Sequence, residues 1–469
     1  MTEPLWKARE AAAATAGSLD GADDWQASGI SIDTRTLKPG DLFVALQDQR
    51  DGHDFVPDAM ARGAAAALVA RTDCGPGAKL VVSDTLEGLR SLGRAARDRC
   101  DGVRVAVTGS VGKTSVKEAL ASVFQAVGRT HASQKSYNNH WGVPLTLALT
   151  PKDTERAVYE MGMNHAGEIR ELSTLARPHV ALITKLAPAH IENLGSMEAI
   201  ADAKGEIFEG LHKDGVAIFP ADDPLTPRLA RKARESAAAF MLEFGWEKGA
   251  AVRLLEFETG PAGGKGRISV LGKEIGFAVS APGDHWAGNS AAIFAAAIAA
   301  GVDADATADA LSQLQVAAGR GAIRRIPLDG GHFTLIDDSY NANPVSMASG
   351  LSILGATEPK EGGRRIAILG EMLELGPDAP AMHRALLEPL QAAHVQGVFL
   401  AGEGMKALRD ELPIGYLAAY ADRADELNTA VAGYVNPGDV VFVKGSNASG
   451  VHRIAKMLAE DDLGARGQG

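Results

Sequence analysis

The chain contains almost no cysteine. Only Cys74 and Cys100 occur among its 469 residues, and neither stands at metal-ligand spacing from another cysteine or beside a histidine cluster. A disulfide-stapled secreted scaffold and a cysteine-rich zinc site are therefore excluded. Two unpaired thiols fit a reducing compartment, and we expect a cytoplasmic location.

An excess of positive charge and long apolar runs are also missing. The net charge of −12 argues against nucleic acid and anionic membranes as partners. The apolar segment 291–300 (AAIFAAAIAA) is too short for a membrane span, and the N-terminal segment carries early charges and lacks the apolar core of a signal peptide. With 46% hydrophobic and 23% charged residues, the composition is that of a soluble globular protein, and we expect a monomer.

The length predicts about three domains. Strand-like runs alternate with helical patterns along most of the chain, which predicts an α/β fold. We predict a small N-terminal α/β domain over 1–84, a central domain with a parallel sheet over 85–320, and a C-terminal, Rossmann-like doubly wound domain over 321–469.

One stretch, 103–127, combines three features of a phosphate-binding site. A β-branched run (Val103, Val105, Val107) predicts a buried strand, TGSVG predicts a turn, and Lys113 opens a helix with one apolar face. The free N–H groups and the dipole of a helix N-terminus attract an anion. The sequence therefore predicts a site for a nucleoside triphosphate at Gly109, Ser110, Gly112, Lys113, Thr114 and Ser115.

The loop is a shortened variant of the usual G-x-x-x-x-G-K-[ST] pattern, because Val107 stands five positions before Gly112. Lys113 can still reach the β- and γ-phosphates, and the Thr114 hydroxyl can contact Mg²⁺. Glu160 ends the next predicted strand, where a carboxylate is well placed to hold that ion.

Further polar residues follow other predicted elements. His190 ends a loop after a strand, Lys204 lies on a helix, and His285 and Asn289 share one helix face at i, i+4 spacing. In the C-terminal domain, the runs 333–338, 365–370, 398–402 and 440–445 predict a parallel sheet whose carboxyl edge should form a second ligand site. In the N-terminal domain, the predicted strand ends carry a candidate binding edge formed by Asp33, Thr34, Arg35, Gly52 and His53.

These motifs resemble those of the Mur ligases, the cytoplasmic ATP-dependent amino-acid ligases of peptidoglycan synthesis. TGSVGKTS, YEMGMNHAGEI, AHIENLGS, AKGEIF, GDHWAGN, AGRG, DDSYNANP and VKGS occur in the family's order. The strings IDTRTLKPGDLFVAL, DGHDF, KSYNNHWGVPLTL and LGEMLELG resemble the member of the family that adds a dipeptide.

The resemblance implies a reaction and its partners. ATP would phosphorylate the terminal carboxylate of UDP-N-acetylmuramoyl-tripeptide, and the amine of D-alanyl-D-alanine would attack the resulting acyl phosphate. ATP and Mg²⁺ are the implied cofactors. Because ATP and the acceptor would lie on different domains, the reaction should require domain closure.

The resemblance also implies roles for single residues. Lys113 would supply positive charge at the phosphates, Thr114 and Glu160 would hold Mg²⁺, and His190 would bind a second Mg²⁺. Lys204 matches a lysine that is carbamylated in this family, and the carbamate would help to bind the metal pair. Asn289 and His285 match the nucleotide side, Arg320 a phosphate contact and Asp338 a ribose contact. The implied substrate contacts are Asp33, Thr34, Arg35, Gly52 and His53 at the uridine end, Asn138 and Asn139 on the UDP-sugar side, and Asn341 and Asn343 at the acceptor or phosphate.

Two alternatives remain open from the sequence. A sister Mur ligase or a folylpolyglutamate synthase would share the fold, although the D-N-P-R string of the diaminopimelate-adding enzyme is absent. A non-catalytic nucleotide or UDP-sugar sensor would be expected to lack Lys113, Glu160 or Lys204. A GTPase has no support, because no N-K-x-D string occurs. One departure from the family pattern is Asn447, where the closing motif K-G-S-R carries arginine.

Overall fold

A computed structural model describes residues 3–134, 136–188, 191–260, 262–315 and 319–460. Its N-terminal part forms a small mixed sheet in the order β2-β7-β6-β5-β4, in which β4 to β7 are parallel and β2 is an antiparallel edge. A separate pair joins β1 and β3. The elements are β1 (Trp6–Lys7), α1 (Ala8–Thr15), β2 (Ser18–Asp20), β3 (Gln26–Ala27), β4 (Gly29–Ser31), β5 (Asp41–Val44), α2 (Val56–Ala61), β6 (Ala66–Val69), β7 (Lys79–Val81) and α3 (Thr85–Asp98).

The central part forms a nine-stranded sheet within the described ranges, in the order β16-β15-β14-β13-β12-β11-β8-β10-β9. Strands β8 to β14 are parallel, and β14 to β16 form an antiparallel meander. The elements are β8 (Val103–Thr108), α4 (Lys113–Gln125), β9 (Thr130–Ala132), α5 (Gly142–Ala148), β10 (Arg156–Glu160), α6 (Glu168–Ala176), β11 (Val180–Ile183), α7 (Ile191–Leu194), α8 (Met197–Gly205), β12 (Val216–Pro220), α9 (Thr226–Arg234), β13 (Phe240–Gly245), β14 (Val252–Gly260), β15 (Gly263–Val270), β16 (Lys273–Val279), α10 (His285–Ala299) and α11 (Ala304–Ser312).

The C-terminal part forms a third sheet in the order β17-β18-β22-β19-β20-β21. The four predicted strands are its parallel centre, but two edge strands join them, and β17 runs antiparallel to β18. The elements are β17 (Ala322–Leu328), β18 (Gly331–Asp338), α12 (Pro344–Ala356), β19 (Arg365–Gly370), α13 (Ala379–Arg384), α14 (Leu387–Ala392), β20 (Gly397–Ala401), α15 (Lys406–Arg409), β21 (Leu417–Ala421), α16 (Asn428–Tyr434), β22 (Val440–Lys444) and α17 (Val451–Ala459).

Strand β8 lies at the centre of the molecule because both of its faces are covered. Val105 and Val107 point into a core formed with α4 and α10, whereas Ala106 points into the core on the opposite face. Alternate side chains of a strand leave opposite faces of the sheet, so a short β-branched run is the expected sequence for a doubly covered strand. This packing fixes the position of the loop that follows β8.

The α/β fold class is confirmed, and each of the three sheets lies within one of the predicted ranges. The domain boundaries at 84/85 and 320/321 stay predictions. Helix α3 packs Leu89 and Leu92 into the core that contains Trp6 and Leu42 of the N-terminal part. No helix of the described ranges is long and apolar enough to cross a membrane.

Candidate active site

The loop between β8 and α4 has the strand–turn–helix geometry that the sequence predicts. Gly109 and Gly112 have φ of 152° and 86°. A Cβ atom at Gly109 would lie 2.0 Å from Thr184 Oγ1, and one at Gly112 would lie 2.6 Å from Asn289 Oδ1. Glycine is therefore required at both positions, because a side chain would meet neighbours that fix the loop.

Hydrogen bonds attach this loop to the adjacent strand β11. The Ser110 N–H donates to the Lys185 carbonyl at 2.7 Å, and Thr184 Oγ1 donates to the Val111 carbonyl at 2.6 Å. Lys113 Nζ donates across the loop to the Gly109 carbonyl. Burial lowers the pKa of Lys113, and Arg320 lowers it further, whereas Glu160 opposes both effects.

Two polar atoms at this loop are buried without a hydrogen-bond partner among the described residues. They are Ser110 Oγ and Asn289 Nδ2. Such atoms are costly unless a partner satisfies them, and both residues line the same cavity. The loop therefore has donors in place for a polar ligand such as a nucleotide phosphate.

Glu160 provides the acidic side of the site. It ends β10 opposite Val107 of β8, and its side chain is almost fully buried, with 1% of the residue exposed. Its Oε2 accepts from Thr114 Oγ1 at 2.9 Å, and its Oε1 accepts from Asn138 Nδ2 at 2.8 Å. A hydroxyl and a carboxylate beside a phosphate loop are hard oxygen donors, the chemistry that Mg²⁺ prefers.

No group of three or more acidic, histidine or cysteine side chains in the described residues could hold a metal by itself. Mg²⁺ is usually held by one or two carboxylates together with water and substrate phosphates, so the pair Thr114–Glu160 fits it. His190, predicted as a further metal ligand, lies outside the described residues.

Lys204 is buried in the last turn of α8, with 1% of the residue exposed. Among the described residues no carboxylate pairs with its Nζ. Burial lowers its pKa well below the ordinary value of 10.5, and the charge of Lys113 lowers it further. The Lys204 amine therefore has no charged partner among the described residues. A negative charge beside it, or conversion of the amine itself to an anionic group, would be favourable at this position.

Arg320 connects the C-terminal part of the chain to the loop between β8 and α4, which we call the phosphate loop (residues 109–112). Its guanidinium donates to Thr114 Oγ1 at 3.0 Å and to Ser136 Oγ at 3.1 Å. The ring of Tyr340 lies 3.8 Å from the guanidinium carbon and holds it from the other side. Arg320 is therefore directed at the position where phosphate oxygens would lie.

Asp338 and Lys444 form a second charged contact at the carboxyl edge of the C-terminal sheet. They are register partners on β18 and β22, and Lys444 Nζ lies 2.5 Å from Asp338 Oδ2. Lys444 also donates to the Asn341 carbonyl at 2.9 Å. The oxygen of Asn343 accepts from the Ser346 N–H and caps α12, so this oxygen is already used within the protein.

His285 is the first residue of α10 and lines the cavity wall. Its Nδ1 lies 3.3 Å from Ser349 Oγ. The residue is partly open to the cavity, but the protein around the ring removes much of its hydration, which lowers the pKa of His285. The positive charges of Lys444 and Lys185 lower it further, to about 4. The imidazole is therefore neutral near pH 7.

A single cavity of about 1070 Å³ joins these groups. The predicted residues that line it are Ser110, Gly112, Lys113, Thr114, Ser115, Asn138, Asn139, Glu160, Lys204, His285, Asn289, Arg320, Asp338, Asn341 and Asn343. Gly109 is not part of the lining, and it lies against Thr184. The cavity therefore lies between the central and C-terminal sheets.

The predicted N-terminal residues do not line this cavity. Asp33, Thr34 and Arg35 follow β4, and Gly52 and His53 follow the neighbouring strand β5, so both groups lie at the carboxyl edge of the first sheet. Arg35 pairs with Asp33.

The environment of His53 does not favour the predicted direct substrate contact. Its ring is buried, with Nδ1 2.6 Å from Asp51 Oδ1 and Nε2 accepting from the Ala70 N–H at 2.8 Å. Both ring nitrogens therefore have partners inside the fold.

Several residues at the cavity have no role predicted from the sequence. These are Ser136, Lys185, Trp246, Tyr340 and Lys444. Lys185 stands two residues after β11, and Lys444 ends β22. Both therefore lie at the carboxyl ends of parallel strands, the position that also predicted a role for Glu160.

The fold and the cavity define a class: a three-sheet α/β protein with a phosphate loop on one sheet, facing the carboxyl edge of a second sheet that supplies an arginine. Three family models match the chain: Mur ligase family, catalytic domain, over 26–96; Mur ligase middle domain over 107–297; and Mur ligase, glutamate ligase domain, over 319–447. The chain belongs to the Mur ligase family.

Individual relatives are similar over nearly their whole length. The UDP-N-acetylmuramoyl-tripeptide–D-alanyl-D-alanine ligase of Escherichia coli is 34% identical, covering 95% of this chain and 96% of the relative. The enzyme of that name from Bacillus subtilis is also 34% identical, covering 93% and 94%.

Solved structures show the same similarity. A crystal structure of MurF from Acinetobacter baumannii has a TM-score of 0.84 at 29% identity, covering 98% of this chain and 99% of that one. MurF from Thermotoga maritima, solved in complex with ADP, has a TM-score of 0.76 at 25% identity, covering 92% and 97%.

Proposed function

We propose that this protein is an ATP-dependent ligase that joins D-alanyl-D-alanine to UDP-N-acetylmuramoyl-tripeptide. The observation that carries the proposal is the convergence of Lys113, the Thr114–Glu160 pair and Arg320 on one cavity between two sheets. The relatives that bear this activity in their names match more than nine-tenths of the chain. The product is the UDP-linked pentapeptide precursor of peptidoglycan.

The residues fit an acyl-phosphate reaction. A tripeptide carboxylate oxygen attacks the γ-phosphorus of ATP, the bond to the β-phosphate oxygen breaks, and ADP leaves. The dipeptide amine then attacks the acyl carbon, gives up a proton, and phosphate leaves with the carboxylate oxygen. Both reactants of the first step are anions, so Lys113 and Arg320 favour it by screening their repulsion and holding them in line.

Thr114 Oγ1 and the Glu160 carboxylate would hold Mg²⁺, and His190 remains a predicted ligand. When bound, the ion supplies further positive charge at the phosphates. The lowered pKa of Lys204 favours a neutral amine. That amine can add to carbon dioxide with loss of one proton, which gives the carbamate proposed for this position, and the carbamate oxygens would help to hold the metal.

The substrate would extend from the cavity toward the N-terminal sheet. We assign its uridine end to the strand-end loops that carry Asp33, Thr34, Arg35 and Gly52, with the UDP-sugar near Asn138 and Asn139. Ser115, His285 and Asn289 belong to the nucleotide side. Asp338 would contact the ribose, and Asn341 and Asn343 the acceptor. A cytoplasmic monomer remains the expected form of the protein.

The test measures phosphate release from ATP and Mg²⁺ with UDP-N-acetylmuramoyl-tripeptide and a panel of acceptors. D-alanyl-D-alanine is compared with L-alanyl-L-alanine, single D- and L-amino acids and glutamate, and Lys113→Met serves as the inactive control. Phosphate and a UDP-pentapeptide should form only with the D,D-dipeptide. Equal turnover with a single amino acid would indicate a sister ligase, and nucleotide binding without any turnover would indicate a sensor.

A further inference from the structure

The loop that follows Glu160 forms a wall of the cavity and is held only in part by its own sequence, because Glu168 accepts from the Asn164 N–H at 2.7 Å and lies 3.2 Å from His165 Nδ1. Met163, Asn164 and His165 line the cavity, and the loop ends at Gly167, immediately before α6. Gly167 has φ of 93° and no side chain to cap the helix. The first N–H groups of a helix need partners from elsewhere when its N-cap residue supplies none.

Glu206 supplies that cap from 39 residues further along the chain. Its side chain is buried, and each carboxylate oxygen accepts from the Gly167 N–H at 2.9 Å. Oε2 also accepts from the Arg170 N–H at 3.3 Å, and the Arg170 guanidinium lies 3.3 Å from Oε1. An ionised carboxylate at a helix N-terminus is favoured by the helix dipole as well as by these bonds.

The segment that carries Glu206 also carries Lys204. Immediately beyond, Ser173 Oγ of α6 donates to the Ile207 carbonyl at 2.5 Å. A Cβ atom at Gly210 would lie 2.2 Å from the Ser173 carbonyl carbon, so the backbones of the two segments are in direct contact. Movement of α6 is therefore coupled to the end of α8.

We propose that Glu206 is a positioning residue that fixes the distance between Glu160 and Lys204. Its carboxylate joins the end of the Glu160 loop to the segment that follows Lys204, and it contacts neither phosphate loop nor cavity. This inference rests on the proposed function, which places Glu160 and Lys204 on the metal side of the ATP site. Groups that orient metal-site residues typically change affinity or rate by about 10- to 100-fold when removed.

The test compares Glu206→Gln with Glu209→Gln. The first variant keeps the side-chain shape but removes the negative charge and replaces one of the two accepting oxygens by an amide NH₂ group, which cannot accept from the backbone N–H donors. The second removes a carboxylate that pairs with the same Arg170 and with Lys232 but not with Gly167. Two measurements need no turnover: amide hydrogen exchange over 161–170, and the Mg²⁺ concentration that half-saturates ATP binding, followed by calorimetry.

For Glu206→Gln we expect faster exchange over 161–170, roughly a 10-fold or greater rise in the Mg²⁺ midpoint, and unchanged ATP affinity without Mg²⁺. Its kcat should fall about 10- to 100-fold with little change in the KM for ATP. Glu209→Gln should behave as the wild type in all of these measurements. Unchanged exchange would overturn the proposal, and so would faster exchange with an unchanged Mg²⁺ midpoint, since the cap would then be only structural.

Two provisions keep the test decisive. If Glu206→Gln does not fold, Arg170→Met replaces it in the test. This variant removes the guanidinium contact but leaves the backbone N–H bonds, so it should shift the same quantities in the same direction by a smaller factor. The absence of any shift would overturn the proposal. If the wild-type enzyme does not use the dipeptide, the proposed function fails. The exchange and Mg²⁺ measurements still decide the role of Glu206.

Discussion

Two basic residues at the cavity have no acidic partner among the described residues. Lys204 is buried beside Lys113 and has no carboxylate partner among the described residues. The guanidinium of Arg320 is held by two hydroxyls and an aromatic ring rather than by an acid. Keeping a basic group in such a place costs stability, because burial disfavours its charged form, and such groups are retained where a ligand or a modification supplies negative charge.

Replacement of Lys204 by methionine should therefore abolish turnover and stabilise the free protein. The unfolded chain holds the Lys204 proton up to pH 10.5, whereas burial makes the folded protein release it at lower pH. The stability penalty is full below the folded-state pKa and disappears as pH rises toward 10.5, so the gain from Lys204→Met should be larger at pH 7 than at pH 9.5. We expect a gain of roughly 1–3 kcal/mol at pH 7.

Thermal unfolding in bicarbonate-free buffer without nucleotide measures this effect, with the exposed Lys213→Met as the matched control. A gain that does not depend on pH, or one that Lys213→Met reproduces, would contradict a buried Lys204 whose protonated form the fold disfavours. Partial recovery of Lys204→Ala turnover by high formate or acetate would further support the carbamate.

At the scale of elements, the phosphate loop is held in shape by its neighbours. Gly112 adopts a left-handed backbone conformation directly against the side chain of Asn289, which belongs to α10. The loop is bonded to β11 on its other side. The shape of the phosphate loop between β8 and α4 therefore depends on the loop itself, on α10 and on the end of β11, and not on the loop sequence alone.

Gly112→Ala tests this arrangement. The added Cβ would displace Asn289 and strain the backbone, so the affinity for ATP should fall at least about 10-fold and stability should fall by roughly 1–2 kcal/mol. Gly276→Ala, at an exposed position of β16 with open space around it, is the matched control and should leave ATP affinity unchanged. Fluorescence titration with an ATP analogue gives the affinities; wild-type binding by Gly112→Ala would contradict the described loop.

The sequence predicts the elements whose signal is local. Strand β8, the turn and α4 follow from a β-branched run, glycines and helical periodicity. Strands β17 and β21 are missed because they are edge strands: Arg324 and Arg325 of β17 are exposed, and Leu417 of β21 is 37% exposed. An edge strand covered on few sides lacks the apolar run on which the prediction depends.

Long-range contacts at the site are harder to predict for a different reason. The pairing of Asp338 with Lys444 depends on the register of β18 against β22, and the cap of α6 by Glu206 depends on how two distant segments pack. The periodicity of a single sequence predicts neither contact, because it gives no information on which distant segments pack together. His53 illustrates the same limit, since its two internal partners are visible only once the strands are assembled.

At the scale of the whole molecule, the cavity exists because two sheets face each other. The central sheet provides the phosphate loop and Glu160, and the C-terminal part provides Arg320, Tyr340 and Asp338. Arg320 spans the gap through hydrogen bonds to Thr114 and Ser136. Closure of the C-terminal part would thus complete the site and exclude water from it.

Arg320→Ala should separate binding from catalysis. Loss of a cation directed at the phosphates should lower kcat on the order of 10²- to 10³-fold, while the affinity for ADP changes by less than about 10-fold because the phosphate loop is intact. Arg324→Ala, a nearby exposed arginine, is the control and should keep wild-type kcat. Equal losses in ADP affinity and kcat would show that Arg320 acts in ground-state binding instead.

The most direct test of the ligase account follows the oxygen atoms of the tripeptide carboxylate. UDP-N-acetylmuramoyl-tripeptide with both terminal carboxylate oxygens isotopically heavy is incubated with the enzyme, ATP, Mg²⁺ and D-alanyl-D-alanine, and the released phosphate is analysed by mass spectrometry. An acyl-phosphate route predicts that each phosphate carries one heavy oxygen and that it forms together with the UDP-pentapeptide. Phosphate without heavy oxygen would contradict the account.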